Sequence, residues 1–150
     1  MEKNEAFQKM ARYCAYQERC SFEVNDKLSA LGCSQELIEE IIEELQQNNF
    51  LNDMRFACTF AESKFRLKRW GKVKIRHHLE HKGITELQII NALKQIDEKE
   101  YLEVFYALIE EKKRKLNESN EYTLNYKIGQ FLISRGFEGD LIWEHLRVKN

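Results

Sequence analysis

Three glycines, and the apolar residues that keep step with them, restrict this chain more than any other feature. Gly32, Gly83 and Gly136 stand 51 and 53 residues apart, and aligning the sequence on them brings six apolar columns into register. Ten residues before each glycine stands Phe22, Val73 or Tyr126; eight before, Val24, Ile75 or Ile128; four before, Leu28, Leu79 or Leu132. One residue after comes Cys33, Ile84 or Phe137; six after, Ile38, Ile89 or Ile142; ten after, Ile42, Leu93 or Leu146. Positions eight and four before the glycine share a helical face, and a left-handed glycine is the residue that ends such a helix. A second helix then begins about two residues later, so each unit reads helix, glycine turn, helix.

Two short helices cannot close a core, so each unit needs a further helix in front. The candidates are Glu5 to Arg19, Asp53 to Arg69, and Glu98 to Leu116, with Phe56, Ala57, Phe60 and Ala61 at helical spacing in the second and Leu102, Phe105, Ile109 and Leu116 facing inward in the third. The chain has no proline and only six glycines, which leaves helix uninterrupted elsewhere. Start signals agree: Ser34 is a good cap, Thr85 with Gln88 forms a capping box, and Asp97 with Glu100 caps the helix that follows. The expected fold is all-α: three tandem three-helix repeats over residues 5–49, 50–97 and 98–150, forming an elongated right-angled or curved array.

The N-terminus lacks the apolar core of a signal peptide, and there is no run of about 18 apolar residues to span a membrane. A cytoplasmic monomer with no membrane partner is expected. Cys14, Cys20, Cys33 and Cys58 form no CxxC pair and read as reduced, buried, small hydrophobic residues. Asn117-Glu118-Ser119 matches a glycosylation acceptor, which carries no meaning in that compartment. His77 and His81 are one turn apart, yet zinc takes three or four protein ligands and no H-E-x-x-H is present, so surface histidines are the better reading. Neither a phosphate-cradling glycine loop nor a G-x-S-x-G nucleophile elbow occurs, and no catalytic residue, cofactor or metal is expected.

Charge is sorted by repeat. The formal net charge is -1, with Glu36, Glu39, Glu40, Glu43 and Glu44 on a helix of the first repeat and Lys112-Lys113-Arg114-Lys115 closing a helix of the third. The acidic helix reads as a solvated face, and the four cations as charge placed against a helix C-terminal dipole. The run from Lys64 to Ile84 is different, holding eight Lys and Arg against a single Glu. Lys64, Arg66, Lys68, Arg69, Lys72, Lys74 and Arg76 have almost no acidic company at helical spacing, and repulsion left unrelieved points to an external anion, either phosphate or an acidic protein face. Trp70, beside Gly71 at a helix junction, reads as half core and half lid.

Phe50-Leu51-Asn52-Asp53 with Arg55-Phe56-Ala57, Trp70-Gly71-Lys72 with Lys74-Ile75, Leu79 with Lys82-Gly83-Ile84, Ala92-Leu93 with Ile96-Asp97, and Phe131-Leu132 with Arg135-Gly136-Phe137 resemble the RecX family of recombinase regulators. Asn52-Asp53 stands where that family usually has two acidic residues, and Leu31 where it usually has Lys. The resemblance implies a non-enzymatic protein of DNA recombination, repair and the SOS response. Such a protein binds the RecA filament on single-stranded DNA, lodges in its groove and restrains ATP hydrolysis, strand exchange and co-protease activity. It carries a binding role first onto Lys72 and Lys74 and then onto their basic neighbours. Two alternatives stay open on the residues alone: an autonomous nucleic-acid-binding module, or a helical scaffold for another acidic protein.

Overall fold

Helix forms almost everywhere the apolar columns predict it. The structure, a computed structural model, describes residues 1–146, so positions 147–150 of the expected third repeat lie outside the described residues. Among the described residues there are nine helices and no strand: α1 (Lys3–Tyr16), α2 (Ser21–Ala30), α3 (Gln35–Gln47), α4 (Asp53–Lys68), α5 (Lys72–His81), α6 (Glu86–Lys94), α7 (Glu98–Lys115), α8 (Glu121–Ser134) and α9 (Gly139–Leu146). They make three three-helix domains in tandem, an all-α repeat fold.

The three aligned glycines end α2, α5 and α8 in the same way. Their φ angles are +84°, +72° and +93°, in the left-handed region that an L residue enters at a cost. The amide after each glycine reaches back five residues, Cys33 to Leu28, Ile84 to Leu79 and Phe137 to Leu132, each at 3.1 Å, while the glycine amide donates three residues back. This is the Schellman pattern, in which an apolar pair closes over the turn. The columns at minus four and plus one are that pair. Ser34 accepts from the Leu37 amide at 3.2 Å, Thr85 and Gln88 cap each other at 3.1 and 3.3 Å, and Asp97 accepts from the Glu100 amide at 2.9 Å.

The column ten residues before each glycine departs from the rest. Phe22, Val73 and Tyr126 are 48%, 36% and 48% exposed, whereas the columns at minus eight and minus four are fully buried. Two residues along a helix is a rotation of about 200°, so a residue at minus ten faces away from one at minus eight. Helix α1 also stops at Tyr16, short of the expected Arg19. Gln17 is extended, and the Arg19 guanidinium turns back to donate to the Tyr13 carbonyl at 3.1 Å and to lie 3.8 Å from the Tyr13 ring centre. In α7 the buried positions are Tyr101, Phe105, Leu108 and Ile109, with Leu102 and Leu116 only half-buried.

Two compact units divide the chain, one of Met1–Thr59 with Leu79–Ala92 and one of Phe60–His78 with Leu93–Asn150, so the boundary falls inside α4, α5 and α6. In the first, Ala6, Met10 and Cys14 of α1, Val24 and Leu28 of α2, and Ile38, Ile41 and Leu45 of α3 share a core with Leu51. Phe7 meets Phe50 edge to face at 6.1 Å. In the second, a chain of aromatic rings runs from Phe65 to Tyr101 at 5.8 Å, Tyr101 to Phe137 at 5.3 Å, and Phe137 to Phe105 at 5.5 Å. Gly129 of α8 is there because of Trp143, since a Cβ on it would lie 2.3 Å from the indole ring.

All four cysteines are free thiols, but only Cys14 and Cys20 are buried; Cys33 and Cys58 are half-buried, which corrects the expectation of four buried residues. Burial pushes the Cys14 and Cys20 thiols up to about 11. A small thiol reagent at pH 8 is expected to modify Cys33 and Cys58 well before Cys14 and Cys20, and to find four thiols after denaturation without reductant. Gly83 and Gly136 separate two causes of strain. A Cβ on Gly83 meets nothing within 4 Å, whereas one on Gly136 would lie 2.2 Å from the Lys74 Cβ. Gly83→Ala should therefore cost only the left-handed backbone, about 1 to 2 kcal/mol. Gly136→Ala should cost clearly more in chemical denaturation, because backbone has to move.

Candidate partner-binding surface

The basic run occupies the end of α4, the corner at Arg69, Trp70 and Gly71, and α5. Arg69 turns the corner in a left-handed conformation, φ +53°, unusual for a bulky side chain. Its guanidinium makes two parallel hydrogen bonds to Glu111 of α7, at 2.7 and 3.1 Å, a fork geometry that holds the strained residue in place. The Arg69 guanidinium also holds the Glu111 carboxyl below the usual carboxylate range.

Helix α5 begins with no side-chain oxygen of its own to cap it. Its first amides are satisfied from the third repeat instead. Gly71 N–H donates to the Arg135 carbonyl at 2.8 Å, Val73 N–H to the Gly136 carbonyl at 2.9 Å, and Lys72 N–H to the Tyr101 hydroxyl at 2.9 Å. The orphan donors of one helix start thus meet the orphan acceptors of one helix end. Gly71 is required by this approach, since a Cβ would sit 2.3 Å from the carbonyl carbon and oxygen of Gly136. The buried Tyr101 hydroxyl donates in turn to Glu138, and burial, reinforced by that carboxylate, raises the Tyr101 phenol above its ordinary value.

The seven predicted cations fall into different roles. Arg66 pairs with Glu62 one turn earlier on α4 and with Glu100 of α7 at 2.9 Å. Arg69 is held by Glu111. The Lys72 ammonium meets Glu98 at 2.9 Å and lies 4.5 Å from the Tyr101 ring centre. These three are braces within the fold, and the repulsion that the sequence left unrelieved is relieved by glutamates of α7. Arg76 is half-buried on α5, and Lys68 is exposed at the end of α4.

Lys64 and Lys74 come together around Trp70. Their ammonium groups lie 5.2 and 4.6 Å from its ring centre, and Lys64 is also 5.4 Å from Phe60. Trp70 packs against His78 at 4.5 Å and Phe60 at 6.4 Å, leaving the indole half-buried, as a half-core and half-lid residue should be. Among the described residues no carboxylate pairs with Lys64, Lys68 or Lys74. Two half-screened cations over an aromatic face suit an anionic partner with a flat or apolar component. The sequence marks Phe60 only as part of a helical apolar face and His78 only as a surface histidine; their spacings to Lys64 and Lys74, four residues each, are the signal that joins them to this cluster.

A cleft of about 350 Å³ lies between α4 and α7, lined by Phe65, Arg66, Arg69, Glu100, Glu103, Val104 and Ala107; its two arginines are the ones already paired. Among the described residues no three His, Cys, Asp or Glu side chains gather to hold a metal ion, and no helix is long and apolar enough to cross a membrane.

Comparison with known proteins matches three consecutive stretches to family models: residues 6–45 to the first three-helix domain of RecX, 52–93 to the second and 98–146 to the third. The proteins named Regulatory protein RecX from Bacillus cereus (strain AH820) and Bacillus anthracis (strain A0248) are each 26% identical over 94% of this chain and 52% of their own length. The chain thus spans about half the length of the curated relatives it matches. A crystal structure of RecX from Lactobacillus salivarius aligns with a TM-score of 0.85 at 26% identity, covering 97% of this chain and 96% of that one. A second, titled crystal structure of regulatory protein RecX, aligns with the same score and identity over 97% and 71%.

Removing the Tyr101 hydroxyl strands two partners at once. Tyr101→Phe is expected to destabilise the protein by about 1 to 3 kcal/mol, the cost of leaving a buried amide unsatisfied. The pH dependence has a definite sign. With its phenol raised in the folded state, Tyr101 contributes stability that is fully present below the unfolded value, about 10, and that is lost as pH rises above it. Denaturation curves between pH 9 and 11 should fall more steeply for the parent than for Tyr101→Phe.

Proposed function

The chain belongs to the RecX family, and from that premise we propose that it regulates a RecA-type recombinase by binding its filament on single-stranded DNA. Bound there, it restrains ATP hydrolysis, strand exchange and co-protease activity. It acts as a monomer, in the cytoplasm, without catalysing a reaction of its own. The seven cations Lys64, Arg66, Lys68, Arg69, Lys72, Lys74 and Arg76 form the contact region. Lys64, Lys68 and Lys74 meet the partner directly, while Arg66, Arg69 and Lys72 brace the corner that presents them.

One observation supports this reading above the others. Lys64 and Lys74, which no carboxylate among the described residues neutralises, sit beside a half-exposed tryptophan at a corner fixed by backbone hydrogen bonds. Ordering these side chains beforehand reduces what binding must still immobilise. Charge on such a rim steers encounter and sets salt dependence, as an acidic or phosphate-bearing filament surface requires.

The test is the ATPase rate of the cognate recombinase on single-stranded DNA against rising concentrations of this protein. The parent should inhibit near stoichiometric ratios, and less as salt rises. Lys64→Glu with Lys74→Glu should need about tenfold more protein, equivalent to about 1.4 kcal/mol. Lys94→Glu with Lys99→Glu, an equal charge change at two exposed positions, should inhibit like the parent. No inhibition by the parent at stoichiometric ratio defeats the proposal, and equal loss in both double variants reduces the site to bulk charge.

A further inference from the structure

From the sequence, the basic residues at the end of α7 have the placement of partners of a helix dipole. A dipole is indifferent to which side of the last turn its cations occupy. In the fold, two of them have a particular place. Tyr101, Phe105 and Leu108 are the buried stripe of α7, spaced by four and three residues, and the same alternation continues to Lys112 and Lys115. Packing alone would favour leucine or alanine on that stripe. Instead Lys112 is half-buried with its ammonium 4.5 Å from the Phe131 ring centre, and Lys115 is exposed beyond it.

The two lysines do not stand alone. With Arg69, Leu108, Glu111 and Phe131 they line an open pocket of about 80 Å³. Three cations converge there on a single carboxylate, and that carboxylate is taken up by Arg69. Lys113 is turned elsewhere, to Glu110 at 3.6 Å. Lys112 and Lys115 therefore add positive charge to a pocket whose own neutralisation is complete without them. Convergence of like charge in a concave site is what a bound anion relieves. The anion's type follows from the donors on offer. Cores of protein interfaces are poor in lysine and rich in aromatic residues and arginine. Here the donors that no carboxylate among the described residues takes up are lysines, the arginine's fork is occupied, and the aromatic ring is partly covered by Lys112. Lysine point charges without base-reading groups suit a phosphodiester backbone.

We infer that this corner of the third repeat, Lys112 and Lys115 beside Arg69, is a second cationic site that contacts the phosphates of single-stranded DNA directly. The inference deepens the regulatory reading and rests on it for the identity of the strand. Its test is fluorescence anisotropy of a labelled oligo(dT) with this protein alone, over a series of KCl concentrations. Each single-strand phosphate contact contributes about 0.7 to the slope of log K against log salt, so Lys112→Gln with Lys115→Gln should flatten the slope by about 1.4. Lys112→Arg with Lys115→Arg, which keeps the charge, should keep the parent's slope, and thermal melting of both variants checks the fold. The inference is overturned if the parent does not bind oligo(dT) at low salt, or if the parent and Gln slopes agree. It is equally overturned if the Gln variant keeps its oligo(dT) slope and loses affinity for DNA-free recombinase, which would make the partner an acidic protein face. ATPase inhibition measured on the same preparations separates the two readings: a parent that inhibits without binding oligo(dT) loses this site and keeps the regulatory role.

Discussion

The corner between α4 and α5 depends on a helix start that is capped by a helix end. Gly71, Lys72 and Val73 give their amides to the Arg135 carbonyl, the Tyr101 hydroxyl and the Gly136 carbonyl. Left buried without partners, such donors would each cost about 1 to 3 kcal/mol. The approach is close enough to exclude a Cβ on either glycine: Gly71 faces Gly136 backbone, and Gly136 faces Lys74. Glycine at 136 therefore answers two demands at once, a left-handed helix end and a surface on which another helix can land. Gly32, with the same φ sign and open space around it, answers only the first.

That landing decides what the basic run can do. Once α5 is anchored on the third repeat, Arg66, Arg69 and Lys72 come within reach of Glu100, Glu111 and Glu98, a row of carboxylates along α7. These pairs are partly exposed and add little stability each, since solvent screens them. Their effect is directional. They hold three long side chains against α7 and leave Lys64 and Lys74 beside Trp70, where no carboxylate among the described residues pairs with them. The same arginine at position 69, in its strained backbone, links this face to Lys112 and Lys115.

The repeats share their turns more than their surfaces. Leu28, Leu79 and Leu132 close the same turn three times, yet the first repeat presents glutamates along α3 while the second presents the cationic corner. The exposed column of Phe22, Val73 and Tyr126 shows that apolar recurrence is not by itself a sign of burial. Its offset of two residues from a buried column placed it on the opposite face, and the helical period alone was enough to say so.

What the sequence determined by itself is what acts over a few residues. The Schellman turns, the Ser34, Thr85 and Asp97 caps, and the stripes Val24-Leu28 and Ile38-Ile41-Leu45 all close within one or two turns of helix, so residue type and spacing suffice to read them. The all-helical repeat architecture follows from those local signals repeated three times. What only the tertiary structure decided is which charges remain available. Arg66 has one partner four residues away and another 34 residues away at Glu100, and Arg69 finds Glu111 at a separation of 42, distances over which spacing carries no information. Charge interactions reach across whatever the fold brings close, whereas caps and helix faces reach only along the chain. For that reason the basic run was legible as a run, and the division of its members into braces and contacts was not.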